Sequence, residues 1–404
     1  MTMNPTLVAK HFEGASDVSG IDYFTLEPRP FAVGTVGLDS SDQDVFCFDS
    51  VSGIVAYRNG LVLTDALNEV CYQAISDISV LPIFPNLQTD YALRLMLALS
   101  QSRRLKTGYR PDYSPLQKSL SLMRPRLVAA AEREIEDYCN TRSFLNSVYA
   151  RAGLLFMKDG RLNAQSFPGP QAYDQIYRLM VARSVKSVGI AKSGQVLEVV
   201  RPYAKTIRKQ VGDRPFAIRI EKEHLEIAHP GPRSNPGLQK TLRHGSASAA
   251  LGGVGAIRYA LSISGEELCL VEFNLYDLQH FRSLIRRGCS LEQWAQEMFG
   301  PEKRAIHSWD IFGFVTDNDC ENLILPTLSE IVYAADTETE IRLYPRALAN
   351  AHNRVKLRHA DLEMTRRQLI VDLAREGITP NMIPVTAEDP HKTDPEIVNQ
   401  DTDY

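Results

Sequence analysis

Apolar and polar positions along the chain alternate in two different periods. Short apolar runs closed by turn residues predict strands, and three- and four-residue spacings predict helices. Over 43–72, "QDVFCFDSVSGIVAYRNGLVLTDALNEVCY" predicts strand, turn, strand, turn, strand. "VFCFD" reads as a short buried strand, and "GIVAYRNGLVL" as a hairpin turning on Asn59-Gly60. Residues 88–150 read as mainly helical: "YALRLMLALSQSRRL" is amphipathic, and a second helix begins at Pro125. The strand 153–158 follows, then a helix in "AYDQIYRLMVARSV" and a strand in "SVGIAKS". Further strands are expected in "PFAIRIE", "HLEIAH", "AIRYALSIS" and "EELCLVEFNL". One long helix is expected from "YPRALANAHNRV" to about Glu376, stopped by Gly377.

Strands, then helix, strand, helix, then more strands and a last helix imply a mixed α/β architecture. Residues 1–42 are expected to form an N-terminal arm, 43–378 one large domain, and 379–404 an acidic, proline-bearing disordered tail. The glycine- and serine-rich stretch "LRHGSASAALGGVGAIR" lacks the P-loop spacing and its Gly-Lys-Ser/Thr end, so it reads as a loop. No internal repeat is evident.

Composition narrows the class. The chain has 404 residues, 44% hydrophobic and 23% charged, as globular proteins do. A net charge of −4 gives no general attraction to nucleic acid, although local basic patches still can. The six cysteines include no C-x-x-C pair, which argues against zinc-ribbon and thioredoxin-like chemistry and fits a reducing compartment. No apolar run spans a bilayer and the first residues do not resemble a signal peptide, so a cytoplasmic protein is expected.

Three carboxylates and a histidine stand out. Asp49 follows "VFCF" and Asp159 follows "LLFMK", each at the carboxyl end of an apolar strand, where sites gather in open α/β sheets. Asp159-Gly160 is also a turn dipeptide, so turn residue and metal ligand are both open. In "RPRLVAAAEREIEDY", 100° per residue puts Leu127, Ala131, Glu134 and Tyr138 on one stripe that Leu145 continues. A carboxylate there needs a cation, a metal or hydrogen bonds. A salt bridge to a nearby arginine serves as well as a site. Glu132 and Glu136 point well away from that stripe, and either becomes the helix acid only if the alignment slips by two residues. His352 shares the inner face of the last helix with Leu348, Ala351, Val355, His359 and Leu362. His359 is its rival, and plain hydrogen-bonded packing is the other reading.

Acid, acid on a helix, acid, then histidine on a late helix is the order of metal-dependent nucleases with an RNase H-like core. Phosphodiester hydrolysis needs neutralised charge and a hydroxide-like nucleophile, which two divalent ions supply. Over residues 45–360 the chain resembles the NurA nuclease family. The resemblance is carried by Asp49 in "FDSVSG", Glu134, Asp159 in "DGRL", Lys192 in "VGIAKSG", and Tyr344, Pro345 and His352 in "YPRALANAH". The first acid departs from the family's pattern, being followed by Ser50 and not by glycine. The resemblance implies an RNase H-like mixed sheet core flanked by helices, with an additional strand-rich segment. It implies a Mn²⁺- or Mg²⁺-dependent deoxyribonuclease, exonuclease or single-strand endonuclease, with Asp49, Glu134, Asp159 and His352 as ligands of two ions and Lys192 near the scissile phosphate. It further implies a homodimer that works on DNA with a HerA-like hexameric ATPase, in DNA-end processing or anti-phage defence. Basic clusters at Arg103, Arg104 and Lys106, and at Arg366 and Arg367, either track phosphates or form solvated helix faces. The rivals are a PIWI-like RNase H-fold nuclease and a non-catalytic DNA-binding or scaffold subunit that keeps the fold without the metals.

Overall fold

The computed structural model describes residues 18–47, 53–83, 125–162, 170–228, 257–288, 314–336 and 344–377, apart from 19 and 266, and a few positions between 294 and 300. Twelve strands and eight longer helices order these residues. The strands are β1 (Tyr23–Thr25), β2 (Gly34–Cys47), β3 (Gly53–Asp65), β4 (Val70–Ile75), β5 (Ser79–Ile83), β6 (Leu155–Asp159), β7 (Lys186–Ala191), β8 (Phe216–Arg219), β9 (Ile257–Ser262), β10 (Cys269–Phe273), β11 (Ala335–Asp336) and β12 (Tyr344–Pro345). The helices are α1 (Pro125–Leu145), α2 (Pro170–Ala182), α3 (Gln195–Val211), α4 (Lys222–Ala228), α5 (Gln279–Arg286), α6 (Leu325–Ala334), α7 (Arg346–Val355) and α8 (His359–Arg375).

Ten strands make one mixed sheet in the order β1-β8-β9-β10-β7-β6-β2-β3-β4, with β5 also on β3. The parallel pairs are β2–β6 and β6–β7; the others are antiparallel. This is the mixed α/β sheet flanked by helices that the sequence implied. β2, β6 and β7 are buried over most of their length, which requires cover on both faces. Successive residues of a strand face opposite ways, so contacts to neighbouring residues identify the two covers. On β3, Asn59 hydrogen-bonds Asp137 of α1, whereas an added Cβ at Gly60 would lie 2.6 Å from Val355 of α7. Thus α1 covers one face, the back, and α7 the other, the front.

Glycine makes the front contact possible. A Cβ on Gly37 would lie 2.4 Å from the carbonyl carbon and oxygen of Ala347, and 2.6 Å from the amide nitrogen of Leu348. Backbone lies on backbone here, and only a residue without a side chain allows it.

Several expectations change. Residues 23–25 and 34–42, expected in an arm, are sheet; Gly34–Asp39 is the most buried part of β2. Asn59-Gly60 does not turn. β3 runs straight through it because Asn59 finds partners in Asp137 and the Arg133 carbonyl, and Gly60 makes room for Val355. Residues 224–228 of "HLEIAH" belong to helix α4 and not to a strand: His224 Nδ1 accepts from the Glu221 N–H, and Leu225 and Ala228, three apart, join the cluster under α3. The expected last helix is two, broken at 356–358, where Leu357 turns in against Val45, Phe46 and Leu362. Gly377 ends α8 as expected, with φ 82°. The helix expected in 91–105, the glycine-serine loop and the tail from 379 lie outside the described residues. Among the described residues no helix is long and apolar enough to cross a membrane.

Gly37→Ala should lower stability by roughly 1–3 kcal/mol, because α7 must lift or β2 must shift. Gly20→Ala, with nothing within 4 Å of its added Cβ, should change it by less than about 0.5 kcal/mol. Urea unfolding of both variants checks this. Equal stabilities would refute the close contact.

Candidate metal centre

Three segments meet on the front face. Asp39 stands two residues after Gly37 and shares its face; Asp159 ends β6, the parallel neighbour. The register pairs Gly37 with Met157, so Asp39 and Asp159 are side by side on one face. α7, seated on Gly37 at Ala347, brings His352 over the same spot one turn later. Asp39, Asp159 and His352 each offer a ligand atom within 4.8 Å of the others. Among the described residues this is the one group of three or more metal-ligating side chains that is so close.

Hydrogen bonds fix each member. His352 Nδ1 lies 2.8 Å from Asp39 Oδ2, and Asp39 Oδ1 accepts from the Ser40 N–H at 2.6 Å. The Tyr344 hydroxyl donates to Asp159 Oδ1 at 2.5 Å. Lys192 continues the β7 alternation beyond Ile190, which pairs with Asp159, and its Nζ is 3.6 Å from Asp159 Oδ2. That ammonium also lies 3.9 Å from the centre of the Tyr344 ring. Burial and then the Asp39 charge push the Asp159 carboxyl up to about 6, against the pull of Lys192 and Tyr344. Two carboxylates and an imidazole form an oxygen and nitrogen donor set that fits a divalent cation. The raised Asp159 value fits such a site: two acids are held together with less positive charge than they need.

No protein-family model and no curated protein matches the chain. The chain is similar to NurA nucleases. The crystal structure of the NurA nuclease from Sulfolobus solfataricus matches over 92% of this chain and 94% of its own, at 10% identity and a TM-score of 0.38. A second NurA crystal structure matches over 96% and 97%, at 12% identity and 0.37. A crystal structure of NurA with manganese matches over 92% and 96%, at 10% identity and 0.32.

Among the residues expected on sequence grounds, Asp159, Lys192, His352 and Tyr344 come together. Asp49 lies outside the described residues, as do Arg103, Arg104 and Lys106. Glu134 is half-buried on α1, across the sheet, and is not in the three-residue group. Its charge acts on Arg133 and Tyr177. Among the described residues of α1 the buried ones are Asp137, Tyr138, Thr141, Phe144 and Leu145, so the carboxylate most deeply inward among them is Asp137. Burial pushes it up to about 6, against Lys158 and the Asn59 hydrogen bond. Tyr138 and Leu145 of the expected stripe are buried, and the stripe's inward side extends to Asp137, one residue before Tyr138. His359 is exposed at the start of α8 because of the break before it. Arg366 is engaged with the Val45 carbonyl and Glu363.

Asp39 is the residue that sequence reasoning passed over. Its signal was present: "FAVGTVGLDSS" is an apolar run ending in Asp-Ser, as strand-end sites require. The expected arm boundary at 42 placed it outside the domain.

Asp159→Asn should separate the ligand reading from the turn reading. A carboxyl raised above its usual 3.8 contributes stability that is full below that value and is lost as pH rises through about 6. Asparagine mimics the protonated form. In EDTA the variant should match the parent Tm near pH 4 and exceed it by about 1–3 °C at pH 7.5. A lower Tm at pH 7.5 would make Asp159 a structural turn residue.

Proposed function

We propose that this chain is a metal-dependent DNA nuclease of the NurA type. The observation that carries the reading is the convergence of Asp39, Asp159 and His352 from three distant segments onto one face, beside a half-exposed lysine. Asp39 and Asp159 are two neighbouring acids on that face, a grouping that a divalent cation would relieve.

Each side chain has a role on this reading. Asp39, Asp159 and His352 would hold Mn²⁺ or Mg²⁺, which when bound would neutralise phosphate charge and supply a hydroxide-like nucleophile near neutral pH. Tyr344 fixes Asp159 by holding Oδ1. Lys192, with 38% of its side chain exposed, places a point charge where a phosphate oxygen approaches. His352 is oriented by its bond to Asp39, so the two ligands set one another's geometry. A second ion would need a further acid; Glu134 lies across the sheet, which leaves Asp49 as the candidate from the sequence.

Purified protein should cut linear duplex or single-stranded DNA with Mn²⁺ or Mg²⁺ and not in EDTA. Asp39→Asn and Asp159→Asn should each lower the rate on the order of 100-fold or more, with the fold intact by circular dichroism. Undiminished cutting by Asp39→Asn would sink the proposed site. DNA retention without cleavage under any metal condition would favour the scaffold reading.

The resemblance also implies a partner, and the net charge is in keeping with one. At −4 the chain has little long-range pull on DNA, so tethering by a ring ATPase of the HerA kind would supply effective concentration. A dimer in sedimentation is expected, and the ATPase with ATP should speed digestion of long duplexes more than of short single strands. Equal acceleration of both substrates counts against tethering.

A further inference from the structure

Asp159 sits on the front of the sheet, but the chain that follows it crosses to the back. Gly160 turns with φ 84° and donates its N–H to the Ile190 carbonyl at 2.9 Å. The turn then lies over Gly189 of β7. A Cβ on Gly189 would be 2.7 Å from the Gly160 oxygen and 2.8 Å from the Leu162 nitrogen.

Both backbone groups of Leu162 are taken by buried side chains from two other elements. Its N–H donates to Glu272 Oε2 on β10 at 3.0 Å. Its carbonyl accepts from the Tyr177 hydroxyl on α2 at 2.6 Å. Glu272 is fully buried and lies directly opposite Gly189 in the β10–β7 register. Its other oxygen is 3.0 Å from Arg258 Nε on β9. Burial, then the Glu272 charge, pushes the Tyr177 hydroxyl well above its usual value, so it stays protonated and donates.

A turn two residues long has few ways to move when its far end is gripped at both N–H and C=O. We propose that Glu272 and Tyr177 are positioning residues for Asp159: gripping Leu162 on the back of the sheet, they fix the Asp159 carboxylate on the front. The proposal rests on the reading of Asp159 as a metal ligand. Neither residue touches the metal group. A fully buried carboxylate in the strand-rich part of the sheet thereby gains a reason: it serves a site on the other face. A ligand held through its neighbours binds metal better because less ordering remains to be done.

The test is Tyr177→Phe, which removes one oxygen, with Glu272→Gln as a second variant that keeps an acceptor for the Leu162 N–H. Three quantities are measured on intact protein: hydrogen exchange of the peptide covering 157–164 in EDTA, Mn²⁺ affinity by calorimetry, and kcat and KM on DNA. Tyr177→Phe should speed exchange in that peptide and weaken Mn²⁺ about 10-fold. It should also lower kcat at limiting Mn²⁺ with KM for DNA unchanged, and excess Mn²⁺ should restore kcat. Glu272→Gln should move the same quantities the same way and by less. Unchanged exchange overturns the clamp. Faster exchange with unchanged Mn²⁺ affinity also overturns it, since the contacts would then be structural only. A parent protein that takes up no Mn²⁺ removes the metal-ligand reading itself, a failure distinct from a parent and variant that bind Mn²⁺ equally well.

Discussion

The seat of α7 on β2 is the constraint on which the site depends. At Gly37 the sheet offers bare backbone, and the helix descends until its Ala347 carbonyl rests there. Gly60, one strand over, leaves room for the Val355 side chain. These two absences of a side chain set the height of the helix. His352 lies between those contact points along α7, so its imidazole arrives at Asp39 and nowhere else. The same descent brings Tyr344, which precedes α7 in β12, against Asp159.

The two faces of the sheet divide the charge. On the front, two acids face one histidine and one lysine, and the shortfall of positive charge is the property a divalent cation would relieve. On the back, Arg133 bridges α1 to β2 through Asp42 at 2.8 Å and the Ser40 carbonyl at 3.3 Å. Asn59 ties Asp137 to β3, and Glu272 ties the turn after β6 to Arg258. Buried charges of this kind are weak stabilisers, because desolvation offsets most of their attraction. Their effect is to specify position. The segments after Asp39 and after Asp159 are both gripped from behind, at Ser40 and at Leu162, each within three residues of an acid on the front.

The other polar networks fit a structural role. Asp277 accepts from the Ser187 N–H, Asn274 bonds the Ser187 hydroxyl, and Lys186 pairs with Glu330. Together they join β7 to the segment after β10 and to α6. The cysteines Cys47, Cys71, Cys139, Cys269 and Cys320 are all free thiols, in keeping with their scattered spacing.

The sequence by itself determined what local chemistry can determine. Apolar runs located β6, β7, β9 and β10. Pro125 started α1, Gly377 ended α8, and the position of Asp159 at a strand end marked it as chemically interesting, while Lys192 stood out only through the resemblance. His352 was legible from helical phase. The ordered motifs in between gave the resemblance to NurA nucleases. Tertiary structure decided the rest, because the deciding contacts join residues far apart in the chain. Asn59-Gly60 reads locally as a turn, yet Asp137 and Val355 hold it straight. Asp39 became the first acid of the group because β2 pairs in parallel with a strand about 120 residues later and receives a helix about 310 residues later. Glu134 and Asp137 differ by less than one helical turn, and only the packing of α1 on β3 chose which of them turned inward. No pattern in the residues around 37 or 60 announces that a helix will rest on them; that depends on where a distant segment lands.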